Sequence, residues 1–276
     1  MNRLLFGTAG IPASTRDPTT IHGIKQVRAL RLHCMELEFV QGVNISKEKA
    51  VAVRKTAQDE DVVLTCHGPY YINLNAKEAY KIEQSKKRML SASERAWECG
   101  AWSVAFHLGF YLGQPKESAY ATVKKHLADI AQQLQASGIT LGLRAETTGK
   151  QTQFGDIDEL LQLSAEIEGV LPCIDFAHLH ARSGGKMNTY EEFSSVLEKV
   201  ERLLGKEALK NMHIHIAGIA YSEKGERNHL NLQDSDMNYK ALVQAWKDFK
   251  IAGTVISESP NIEEDALLLK KGYEKE

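Results

Sequence analysis

The chain has 276 residues, 43% apolar and 25% charged, with a formal net charge of −2. That mixture excludes disordered and collagen-like classes, and the length buries a substantial core in one large domain or two small ones. A near-neutral balance excludes a surface basic throughout, so nucleic acid could be met only along a local basic groove.

Leu4–Phe6 is a short apolar run ending in the turn Gly7-Thr8-Ala9-Gly10, and a helix is expected over Thr20–Leu30. Met35, Leu37 and Phe39 alternate with Glu36 and Glu38, the period of a second strand, and Ser46 caps a helix running through Ala57. Val62-Val63-Leu64 opens a third strand that reaches His67, and a long helix fills Ala76–Cys99, closed by Gly100. Trp102–Phe106 is a strand ending at His107. The next helix starts near Pro115 and carries Ala119, Val123, Leu127, Ile130 and Leu134 on one face. Ile139–Leu143 runs toward Glu146, a helix holds Leu160 and Leu161, and Val170–Ile174 leads into Asp175. Thr189 and Glu192 form a capping box for a helix ended by Gly205. Met212–Ile216 is a strand containing His213 and His215. A helix around Trp246 follows, then Val255-Ile256 leads into Glu258 and a final helix through Leu269.

Eight strands alternating with eight helices predict one (β/α)₈ TIM barrel, a single α/β domain over residues 1–276. The rival, a doubly wound open sheet, would bring a phosphate-binding glycine loop after the first strand, and Gly7-Thr8-Ala9-Gly10 is a poor version of one. Cys34, Cys66, Cys99 and Cys173 form no C-x-x-C pair, which suits reduced buried thiols and a cytoplasmic protein. No signal-peptide pattern opens the chain and no apolar run approaches the ~20 residues that span a bilayer, so no membrane association is expected.

His67, His107, Glu146, Asp175, His213 and Glu258 stand at the ends of six consecutive strands. In a closed barrel they converge on the C-terminal mouth, where such folds keep their chemistry. His178, His180 and His229 lie just beyond strand ends. These are too many ligands for one tetrahedral ion, so a multi-zinc site is indicated.

The motifs His67-Gly68-Pro69-Tyr70-Tyr71-Ile72-Asn73-Leu74, Phe106-His107-Leu108-Gly109, Ala145-Glu146-Thr147-Thr148-Gly149, Cys173-Ile174-Asp175-Phe176-Ala177-His178, Met212-His213 and Glu258-Ser259-Pro260 together resemble endonuclease IV, the trizinc apurinic/apyrimidinic DNA repair nucleases. The resemblance covers nearly the whole chain. It implies an enzyme acting on double-stranded DNA at abasic sites, cutting 5′ to the lesion by metal-hydroxide attack on phosphorus; a monomer is expected, since nothing in the sequence demands more. It places Glu146 between two zincs, with His67 and His107 on the first and Asp175, His213 and Glu258 on the second. His178 and His229 hold the third zinc, with an acidic residue of the preceding loop. Tyr70 meets the extruded nucleotide, with Tyr71 beside it.

The chain departs from that pattern in two loops. Where the family has Asp-x-His, it reads Glu226-Arg227-Asn228-His229, so either Glu226 replaces the aspartate one residue further away or the third site is weakened. Gln41-Gly42-Val43 lacks the basic residue that would touch DNA, leaving Lys77, Lys81, Lys86, Lys87, Arg88, Arg182 and Lys186 as candidates for phosphate contacts. His180 and His215 take no role in the pattern and are expected in the core or behind the ligands. Glu36 or Glu38 is expected to hydrogen-bond a ligand histidine. The alternative function is a sugar isomerase or epimerase of the same barrel superfamily, needing one divalent ion on Glu146, Asp175, His213 and Glu258.

Overall fold

A computed structural model describes residues 1–275. Eight parallel strands close on themselves: β1 (Leu4–Ala9), β2 (Cys34–Glu38), β3 (Val63–His67), β4 (Ser103–Phe106), β5 (Gly142–Glu146), β6 (Val170–Asp175), β7 (Met212–Ile216) and β10 (Gly253–Ser257). β10 returns to pair with β1, from Leu4↔Gly253 to Thr8↔Ser257, so the sheet has no edge. Two short strands, β8 (Gly218–Ser222) and β9 (Gly225–Leu230), form an antiparallel hairpin off the end of β7.

The helices are α1 (Thr20–Ala29), α2 (Lys47–Asp59), α3 (Ala79–Glu98), α4 (Lys116–Ala136), α5 (Ile157–Glu166), α6 (Phe176–Arg182), α7 (Tyr190–Leu204), α8 (Lys206–Leu209), α9 (Tyr239–Asp248) and α10 (Glu263–Glu274). Local chemistry fixes several of them. Ser46 caps α2, and capping boxes Asp156/Glu159 and Thr189/Glu192 start α5 and α7. The α4 stripe Ala119, Val123, Leu127, Ile130 and Leu134 is buried as its spacing predicts. The core between helices and barrel includes Phe6, Phe106, Phe154, Phe176, Phe193 and Trp246, all fully buried. No helix among the described residues is long and apolar enough to cross a membrane.

Two elements differ from the pattern read in the chain. The residues after Asp175 are not a loop: Asp175 Oδ1 accepts the His178 N–H at 2.7 Å and caps α6, which places His178 in its first turn. The β8–β9 hairpin falls where the chain shows no strand pattern, because its strands are short and polar on the exposed side.

The barrel interior is also polar below the mouth. Glu36, Ser103, Arg144, Cys173 and His213 are all buried, and contacts from β7 across to β2 and β4 run through them. Arg144 stacks over Trp102 at 4.6 Å and donates to Pro172 O and Asn211 Oδ1.

Candidate metal centre

The side chains converge because alternate strand residues face the same side and the last inward residue of each strand stands at the mouth. Glu146, last residue of β5, is fully buried at the centre. Its two oxygens face different neighbours. Oε2 lies 3.1 Å from His67 Nε2 and 3.6 Å from His107 Nε2. Oε1 lies 3.0 Å from His215 Nδ1, which is itself 3.2 Å from Glu258 Oε1. A third set sits beside these: His178 Nδ1 is 3.3 Å from Asp175 Oδ2, and His178 Nε2 is 3.6 Å from Glu226 Oε2. His229, from the hairpin, reaches within 3.9 Å of Glu258 Oε2, and ligand atoms of Asp175, His178 and His229 lie within 4.8 Å of one another.

Backbone carbonyls fix the outer nitrogen of several rings. His67 Nδ1 lies 2.8 Å from Gly68 O, His178 Nδ1 3.0 Å from Thr147 O and His229 Nδ1 3.2 Å from Glu258 O, leaving each Nε2 toward the centre. Thr147 in turn ties β5 to β6, accepting from Asp175 N and donating to Asp175 O.

The electrostatics are those of carboxylates forced together in a dry site. Burial pushes His67 down, but the Glu146 carboxylate outweighs it and lifts the ring to about 10. His178 is likewise lifted to about 9 against burial, by Asp175, Glu146 and Glu226. His107, whose burial is less well offset, falls to about 4. Burial, then the neighbouring Glu36 charge, raises Glu38 to about 8, and burial also raises Glu258. Glu146 is held well below the usual carboxylate range: burial raises it, but His107, His215 and His67 together outweigh that.

The donors suit divalent cations. Glu146 Oε2, Asp175 Oδ2 and His229 Nε2 are buried without a hydrogen-bond partner, and each such atom costs about 1–3 kcal/mol unless something else satisfies it. Imidazole and carboxylate together are the ligands zinc accepts.

Of the residues predicted from sequence, His67, His107, Glu146, Asp175, His178, Glu226, His229 and Glu258 come together here. His213 does not join Glu258. It lies one interior layer deeper, its Nδ1 3.0 Å from Ser103 Oγ and its Nε2 3.0 Å from Glu36 Oε2. His215 takes the place expected of His213, because β7 ends at Ile216 and His215 is its last inward residue. The alternation His213-x-His215 carried that signal: both rings face inward, and the later one is nearer the mouth. His180 stays outside, bound to Met187 O and to Asp236, which also accepts from Tyr221.

The hairpin resolves the altered spacing of Glu226 and His229. Separated by three residues on a regular strand, they would face opposite sides. In β9, however, Tyr221 pairs with Glu226 and Ala220 with Asn228, so Arg227 is an extra, bulged residue. The bulge returns both side chains to one face. Gly149 completes the fit, since a Cβ there would lie 2.6 Å from Glu226 Cβ and Oε2.

The mouth encloses a cavity of 290 Å³, walled by Tyr70, Phe110, Lys150 and Gln153 among others. Tyr70 sets its ring edge-on to His67 at 5.3 Å and is 57% exposed, and Tyr71 is more exposed still. Lys77 is exposed ahead of α3. Arg182, expected to be a phosphate contact, is spent internally. Its guanidinium donates to Thr148 Oγ1, Lys150 O and Gln153 O and approaches Tyr111 OH, which clips the loop after β5 in place. Lys86 is paired with Glu83 and Asp129, and Lys81 with Glu78.

An eight-stranded barrel with an imidazole–carboxylate mouth defines a metal-site TIM barrel. The model of the xylose isomerase-like TIM barrel family matches residues 24–274, and the chain belongs to that family. An uncharacterized protein of Methanocaldococcus jannaschii is 47% identical, with 99% of each chain covered. A probable endonuclease 4 of a Geobacillus strain is 26% identical, over 86% of this chain and 78% of its own. Among solved structures, a D-tagatose 3-epimerase-like protein superposes with a TM-score of 0.72 at 16% identity, covering 96% of this chain and 94% of its own. Endonuclease IV from Thermus thermophilus gives 0.70 at 20% identity, covering 96% and 97%. Both structural likenesses speak to the fold.

Proposed function

We propose that the protein is a zinc-dependent phosphodiesterase acting on double-stranded DNA at abasic sites. The observation that carries this reading is that the two Glu146 oxygens face different histidines, His67 and His107 on one and His215 on the other, with Asp175, His178 and His229 grouped beside them. An isomerase working with one ion would use Glu146, Asp175, His215 and Glu258, and would leave His67, His107, His178 and His229 without a task. The distant likeness to probable endonuclease 4 supports the same choice.

Divalent ions bound at these sets would supply charge for a phosphodiester and a water of lowered pKa at neutral pH. The protein's own part is placement. Glu146 holds two donor sets at a fixed separation. Carbonyl contacts from Gly68, Thr147 and Glu258 keep three rings turned with Nε2 inward. A cavity of 290 Å³ does not admit a duplex, which supports a substrate that presents an extruded nucleotide. Tyr70 forms the wall that it would meet.

The test is incubation with duplex DNA carrying one abasic site, with metal content measured in parallel. Wild type is expected to hold about three zincs per chain and to nick 5′ to the lesion; Glu146→Gln is expected to abolish nicking. One ion per chain and no nicking, with turnover of a ketose, would replace this reading with the isomerase.

A further inference from the structure

Glu36 lies on β2, outside every donor set above, yet it is fully buried and reaches two histidines at once. Its Oε1 is 2.9 Å from His215 Nε2 and its Oε2 is 3.0 Å from His213 Nε2. Neither oxygen has a hydrogen-bond partner among the described residues, so these two close histidine contacts are what each has. His213 is held from its other side by Ser103 on β4. The result is an unbroken buried line, Ser103–His213–Glu36–His215–Glu146, crossing the barrel from β4 to β7 to β2 and back to the mouth.

We propose that Glu36 is a positioning residue that fixes the ring of His215, with His213 as its brace. The proposal rests on the metal reading above. His215 can offer Nδ1 to the set of Glu146 and Glu258 only if Nε2 faces the opposite way, and Glu36 is the group found there. A carboxylate behind a ligating imidazole orients the ring and raises its basicity, and losing such a partner weakens metal binding about 10–100-fold. Glu36 needs its own restraint, because a carboxylate with one partner in a buried space is free to turn. The second oxygen on His213, and His213 on Ser103, remove that freedom. This gives His213 a task that its place below the mouth otherwise lacks.

Co²⁺ titration of the chelator-stripped protein tests this, reading bound ions by mass spectrometry under native conditions and by visible absorption. Glu36→Gln is expected to weaken one ion of the set at least tenfold and to alter its Co²⁺ spectrum. The ions on His67/His107 and on His178/His229 should keep their affinity. His213→Asn, which leaves the Glu36 carboxylate in place, should weaken the same ion by a smaller factor, and it decides the matter if Glu36→Gln does not fold. Unchanged affinity and spectrum in the folded variants overturn the role of Glu36. Failure of wild type to take up any Co²⁺ overturns the metal reading itself, before any variant is made.

Discussion

Replacing Gly149 by alanine puts the third donor set to a quantitative test. The new methyl carbon would stand 2.6 Å from both Cβ and Oε2 of Glu226, about 0.8 Å inside the 3.4 Å where ordinary contact begins. A rotamer change can move Oε2, but Cβ is tied to the backbone of β9, whose Glu226 N–H donates to Gly149 O at 3.1 Å. Relief must therefore come from moving the hairpin away from the loop after β5. Overpacking of this kind costs about 1–3 kcal/mol, so the variant still folds. A displacement approaching 1 Å at a positioned group costs roughly 100-fold in rate. The expected result is loss of the ion on His178, His229 and Glu226, retention of the other two, and nicking of abasic DNA slower by about two orders of magnitude. Metal analysis and single-turnover kinetics on one preparation read both quantities. Three ions at wild-type affinity with an unchanged rate would refute the role given to Glu226 and to the bulge at Arg227.

Ion binding should release protons, because His67 and His178, lifted to about 10 and 9, are protonated in the metal-free protein at pH 7 and must lose those protons to bind. Affinity then falls as pH drops below those values. Calorimetry in buffers of different ionisation enthalpy should show about three protons released per chain, since His215 is raised above its usual range like the other two, and zero would contradict it. Arg182→Met should cost about 1–3 kcal/mol in thermal or denaturant unfolding, since it strips partners from Thr148, Lys150 and Gln153. It should leave the salt dependence of DNA binding unchanged, whereas a true phosphate contact would lower the slope by about 1. His178→Ala should cut nicking at least tenfold; an isomerase using Glu146, Asp175, His215 and Glu258 would keep its rate.

The barrel was legible because each βα unit carries its own local signals: caps at Ser46 and Thr189, a one-sided stripe on α4, and apolar runs of strand length. The mouth was legible because polar residues at strand ends have few other uses. Two kinds of information were not. The choice between His213 and His215 is missed although the sequence pattern gives β7 its observed ends, because the motif match puts the ligand at the first of two inward rings. Only the contacts with Glu146 and Glu258 show that the second reaches the mouth. The joint use of Glu226 and His229 depends on a bulge, and a bulge is a property of two strands in register. Arg182 misled for a related reason. A cation beside a site reads as a ligand contact until the carbonyls that surround it are known.

The charge balance of the mouth bears on how many cations it is built for. Glu36, Glu38, Glu146, Asp175, Glu226 and Glu258 gather around one small space, and four of them are fully buried or nearly so: Glu36, Glu146, Asp175 and, at 12% side-chain exposure, Glu258. Carboxylates this close cannot all stay ionised in a dry site without positive charge among them. In the metal-free protein that charge comes from protons. His67, His178 and His215 are held above their usual range against the burial that opposes it, and Glu38 keeps its own proton to about 8. The protonated rings are spread across the mouth: His67 and His215 lie with Glu146 and Glu258, and His178 lies with Asp175 and His229. A site evolved for a single ion would need compensation at one place. Here it is needed in more than one place, which supports the proposed multi-metal reading of the site.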